Sequence, residues 1–271
     1  KAWPLKFLAD VSAHPAGGGT GKTKPSPSKL KPSRRAVEAE ASGVSFQSDW
    51  ARLGCLRNQA RREANLVGVA HHRALPWLDV SLFGQLVVQG TWGLEVSFAG
   101  RPVRFKEDWN CVCWHTDSDG DYLELQYTLD ENRRIERQVY LSRTDHFLVL
   151  ADCVSGAGEA VIDYAARWPL VGQSVISRHE TSRECVVARG GLLVRTFPLA
   201  LPDDVIQSTA GFWGQSPDHD GPCLELRQRA VGGLYAPVVF DCTPARHNSY
   251  ADWRTLTVTE DKLVVVEASA G

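Results

Sequence analysis

The chain has 271 residues, 43% of them hydrophobic, and a formal net charge of -2. That composition suits a globular protein with a large core and argues against a general polyanion or nucleic-acid binder. No apolar run approaches the roughly 20 residues a membrane-spanning helix needs.

Residues 1–43 differ from the rest. Positions 14–35 are rich in Gly, Pro, Ser and Lys, a composition that packs no core and reads as a linker, so a flexible N-terminal arm is expected. Positions 3–11 could be the end of a helical domain upstream. The run 16–23 (AGGGTGKT) nearly matches a phosphate-binding loop. Its first required glycine is Ala16, no apolar strand leads directly into it, and Lys24-Pro25-Ser26-Pro27 follows where a helix must start. It reads as linker.

From residue 44 onward, turn signals recur about every ten residues, with strand-like runs between them. Strands are expected at 65–70, 78–83, 85–89, 92–98, 109–115, 122–129, 134–141 and 146–154. Further ones are expected at 160–166, 173–178, 185–188, 192–197, 223–230, 235–241, 255–259 and 262–267. The stretch 108–154 is the clearest: Leu123, Leu125, Tyr127 and Leu129 share one face, and Asp117-Ser118-Asp119-Gly120-Asp121 is turn chemistry. Many short strands without intervening helices predict an all-β, antiparallel, two-sheet β-sandwich (a supersandwich) over 44–271. The seven cysteines fall mostly at strand positions and read as small buried hydrophobes, with Cys111 and Cys113 on one strand face.

The run 109–125 (WNCVCWHTDSDGDYLEL), with Arg134-Ile135-Glu136-Arg137-Gln138-Val139 and 147–152 (FLVLAD), resembles the carboxyl-terminal sandwich of heparinase II/III-like proteins. Residues 65–90, through His71-His72, resemble that domain's entry. The resemblance implies a polysaccharide lyase that cleaves uronic-acid glycans by β-elimination, working with an upstream helical toroid. It also implies a His from the sandwich and a divalent metal site. Here the family's spaced His-x-His is the adjacent pair His71-His72, and Gln89 stands where an acidic metal ligand is expected, so no cofactor is assigned. The implied partners are a polysaccharide or oligosaccharide and the helical domain. A non-catalytic, glycan-binding or structural sandwich is the alternative. The compartment is left unassigned.

Five residues carry the site expectations. A histidine tuned near neutral pH can move the protons of β-elimination, which nominates His71 and His72. On a strand the two would point to opposite faces, so at most one lines a pocket. Arg137 falls on the core side with Ile135 and Val139, and Asp152 should lie opposite Glu136 or Arg137. A structural ion pair is expected there, and a clamp on a substrate carboxylate is the sharper alternative. Trp213, in an expected loop, is nominated as an exposed stacking residue, and His115 as a further substrate contact. The acids of 117–121 could hold a hard cation, but Asp-Gly between alternating strands is first a hairpin signal.

Overall fold

The computed structural model describes residues 45–106, 109–203, 211–258 and 263–270. The expected arm, with its glycine-rich run, lies outside them. Twenty strands are described. They run β1 (Phe46–Ser48), β2 (Leu53–Arg57), β3 (Leu66–Ala70), β4 (Trp77–Leu82), β5 (Gln85–Thr91), β6 (Gly93–Phe98) and β7 (Arg101–Pro102). Next come β8 (Asn110–Thr116), β9 (Gly120–Thr128), β10 (Arg134–Ser142), β11 (Phe147–Ser155), β12 (Val161–Pro169), β13 (Val175–Arg178) and β14 (Cys185–Arg189). The last are β15 (Leu192–Pro198), β16 (Phe212–Gln215), β17 (Cys223–Val231), β18 (Leu234–Asp241), β19 (Ala251–Val258) and β20 (Leu263–Ala270).

The all-β antiparallel sandwich expected from the alternation is present. One layer is an eight-stranded sheet ordered β13-β14-β15-β18-β11-β10-β9-β8. The other layer is divided between two five-stranded sheets, β1-β2-β3-β4-β5 and β16-β17-β12-β6-β7. The layers meet because strict alternation gives each strand one apolar face. Leu123, Leu125, Ile135, Val139, Leu148, Leu150, Val238 and Phe240 of the large sheet join Leu56, Val67, Val69, Leu78 and Val80 in one buried cluster. At Gly54 the layers approach so closely that an added Cβ would lie 2.9 Å from Cδ2 of Leu123.

Two buried ionic knots tie the layers together. Asp121, fully buried, accepts hydrogen bonds from Ser45 Oγ (2.6 Å) and Arg143 Nη2 (2.7 Å), and so links the start of β1 to the large sheet. Arg137 lies directly opposite Asp152 in the β10–β11 register. Its Nε donates to Asp152 Oδ1 (2.9 Å) and its Nη2 to Oδ2 (3.2 Å). Nη1 donates to the Trp92 carbonyl (2.6 Å), Nη2 also to that of Gly93 (3.1 Å), and Tyr164 Oη to Asp152 Oδ2 (2.8 Å). The guanidinium sits 4.0 Å from the Trp92 ring centroid, so it grips the chain where β5 passes into β6.

Two sequence expectations need correction. Cys111 and Cys113 do not share a face: a bulge between them sets Cys111 opposite Leu125 and Cys113 opposite Glu124. The extra residue, Val112, resets the period-two rule and is left exposed. Trp213 lies on β16 rather than in a loop, and its ring is fully buried, edge-on to Trp168 at 5.7 Å between centroids. Gly211 and Gly214 look like loop residues in sequence, yet β16 pairs with β17 between Phe212 and Gln215. Strands β1, β2 and β7 also fall outside the expected runs; in β2, Gly54 and Arg57 obscure the alternation.

Candidate functional site

The residues of interest gather at one corner of the β1–β5 sheet. Three pieces of chain meet there: the β1–β2 turn (49–52), the loop after β3 (71–76) and the start of β8. The turn is closed by Arg52 N donating to Asp49 O (3.3 Å) and Ala51 N to Ser48 Oγ (3.2 Å). The 71–76 loop is strapped at both ends. His71 N donates to Arg52 O (2.8 Å), and Trp92 N to Pro76 O (2.8 Å). Between these, the indole of Trp109 donates to Ala74 O (2.8 Å). Trp109 is itself fully buried and stacks against Phe105 at 5.8 Å, so the corner rests on the hydrophobic core. The Arg137 knot holds Trp92 from the other side, which ties the loop to the large sheet as well.

His71 is 1% exposed, and its Nδ1 lies 3.0 Å from the Trp109 carbonyl oxygen. A carbonyl only accepts, so Nδ1 carries the proton and Nε2 presents a lone pair. Nε2 is buried and has no hydrogen-bond partner. Burial, with smaller contributions from the positive charge of Arg52 and from His72, pushes the His71 pKa below its ordinary value, although the Trp109 carbonyl acts the other way. The ring is therefore neutral at pH 7. His72, next in sequence, is exposed, and its Nε2 accepts from Arg73 Nε (3.4 Å). The two histidines point into different environments, as adjacent residues at a strand end should.

Two residues of the corner were not singled out from the sequence. Arg52 adopts φ 51°, the left-handed region that a long side chain rarely occupies. Its Nη1 donates both to the Trp109 carbonyl (2.8 Å) and to Asn110 Oδ1 (3.0 Å). Trp50, at the tip of the turn, is 95% exposed. An Asp-Trp-Ala-Arg turn between two short strands is the only sequence signal of either.

The other nominated residues lie elsewhere. Arg137 is fully buried and committed to Asp152, Trp92 and Gly93, which leaves its guanidinium no path to a ligand. His115 is exposed at the far end of β8 and pairs with Asp117 at 3.0 Å. Asp117 Oδ1 accepts from the backbone N–H groups of Asp119 (2.8 Å) and Gly120 (3.0 Å), which is hairpin-turn capping. Gln89 faces Asp79 across β4–β5, while Nδ1 of His71 is turned to Trp109. No group of three His, Cys, Asp or Glu side chains among the described residues is arranged to hold a metal ion. The donors at hand do not fit the divalent cation that the resemblance implies.

No family model matches the chain, and no curated protein does. Solved structures do. Heparan sulfate lyase HepC from Pedobacter heparinus superposes with a TM-score of 0.59 at 11% identity, covering 87% of this chain and 46% of that one. The fold is that of a heparinase III-type sandwich. A heparinase III gene product gives a TM-score of 0.52 at 10% identity, covering 84% of this chain and 42% of that one. The chain thus spans less than half the length of the heparinase structures it matches.

Proposed function

We propose that this chain is the glycan-associated β-sandwich of a polysaccharide lyase of the heparinase II/III type. In that reading it acts on uronic-acid-containing glycans by β-elimination, and only together with a helical domain that supplies the rest of the cleft. The observation that carries the proposal is the corner itself: an arginine held by neutral acceptors stands beside a neutral, oriented imidazole and a second, exposed one. β-Elimination removes the proton alpha to a uronate carboxylate and expels the glycosidic oxygen at the β-carbon. Negative charge grows on the carboxylate as the C–H bond breaks, and a fixed guanidinium lowers the cost of that charge. His72 reaches solvent and is the proton-transfer group in this scheme. His71 is too buried to meet a glycan directly, so it positions the corner by bonding to the Trp109 carbonyl that also anchors Arg52.

The second reading, a non-catalytic glycan-binding sandwich, is favoured by the burial of His71 Nε2 and by the lack of a metal-holding set among the described residues. The test is the ultraviolet absorbance of unsaturated uronide products, followed with the intact gene product across a panel of anionic glycans. Turnover that His72→Ala abolishes while the melting profile stays unchanged supports the lyase. No absorbance with any glycan removes it, and leaves the binding module.

A further inference from the structure

We propose that the turn 49–52 is a clamp for one acidic sugar unit, with Trp50 as the platform for the ring and Arg52 as the fork for its carboxylate or sulfate. This deepens the glycan reading and rests on it.

Trp50 is the anomaly that starts the argument. Trp92, Trp109, Trp168 and Trp213 are all fully buried, whereas Trp50 is 95% exposed on a turn closed by two hydrogen bonds. An indole in water is unfavourable in proportion to its apolar area, and Trp50 presents that area on a closed turn, where a flat apolar face can cover it. The axial C–H face of a pyranose is apolar and flat, and suits an indole face.

Arg52 decides which sugar. Arg137, Arg143, Arg167, Arg195 and Arg246 each pair with a carboxylate. Arg52 pairs with none among the described residues. Both of its hydrogen bonds go through Nη1 to uncharged oxygens. The guanidinium is therefore held in place with no carboxylate paired to it among the described residues, and its Nε/Nη2 edge donates to none of them. That edge is the two-donor fork that a carboxylate or sulfate accepts. Arg73 lies exposed on the adjoining loop and adds to the positive field. Asp49 is the one acid in the turn, and its Oδ1 accepts from Gln47 Nε2 (2.6 Å). Charge complementarity thus selects an anionic glycan over a neutral one.

Affinity electrophoresis or calorimetry of the full chain tests this with hyaluronan oligosaccharides (carboxylate only), heparan sulfate oligosaccharides, dextran (neutral) and polyglutamate (carboxylates without rings). Two variants suffice. Trp50→Ala removes an exposed ring without touching the core. Arg52→Gly removes the guanidinium at a left-handed backbone position that glycine prefers, and its melting profile reports any loss of fold. The expected result is binding of the two anionic glycans above dextran and polyglutamate, with each variant weaker on the order of tenfold. Relative strength on hyaluronan and heparan sulfate separates carboxylate from sulfate as the group in the fork. If the variants bind as the wild type does, the clamp is refuted and the glycan reading stands. If polyglutamate matches hyaluronan and Trp50→Ala has no effect, the turn reads charge alone and the clamp is refuted. If the wild type binds no oligosaccharide, the glycan reading falls and takes the clamp with it.

Discussion

Arg137→Met should be among the most damaging single changes in this chain, and the reason is the charge it strands. Arg137 is fully buried, as is its partner Asp152. Methionine fills much of the same volume, so little cavity forms. What remains is a carboxylate in the core with one surviving donor, Tyr164 Oη, and two carbonyls, of Trp92 and Gly93, without theirs. Breaking a buried pair by removing one partner costs about 3–5 kcal/mol. For a domain of this size that is a drop in melting temperature of roughly 6–20 °C. The pair itself has a smaller net worth, because two charges were desolvated to make it. The double variant Arg137→Met/Asp152→Leu should therefore cost less than the sum of the single variants, with a coupling of about 1–3 kcal/mol. Equilibrium urea unfolding of the four proteins, followed by tryptophan fluorescence, measures the cycle. A single-variant cost under about 1 kcal/mol, or strictly additive costs, would refute the view that this knot holds the layers together.

Two other outcomes follow from the same packing. Because burial lowers the His71 pKa on folding below the ordinary imidazole value, the unfolded chain binds more protons in that range. The stabilisation is complete above the unfolded pKa and is lost as pH falls through the folded one; urea midpoints between about pH 7 and 5 should decline less steeply in His71→Gln than in wild type, and equal slopes would disprove a neutral, buried His71. Trp213→Ala should cost about 3–5 kcal/mol as a core cavity and Trp50→Ala within about 0.5 kcal/mol, so calorimetric melts that reversed this order would overturn the assignment of which indole is inside.

The sequence by itself determined the class of this protein. Leu123-Leu125-Tyr127 and Ile135-Arg137-Val139 announce their strands locally, because a pleated backbone turns every second side chain the same way. Placing Asp152 across from Glu136 or Arg137 needed only the length of the turn between them, and the register chose Arg137. Tertiary structure decided everything that depends on a third strand or a reset of the period. Val112 enters a bulge that turns Cys113 away from Cys111, and nothing in the run Cys-Val-Cys signals it. Trp213 is buried because β17 captures its strand and Trp168 meets its ring, whereas Trp50 stays in water because none of the described residues packs over its turn. The candidate site follows the same rule. His71 was legible as a residue type, but its orientation and its neighbour Arg52 come from a carbonyl 38 residues along the chain, at Trp109, and its neutral state comes from burial. Periodicity is a property of one strand, while a site is made where strands distant in sequence converge.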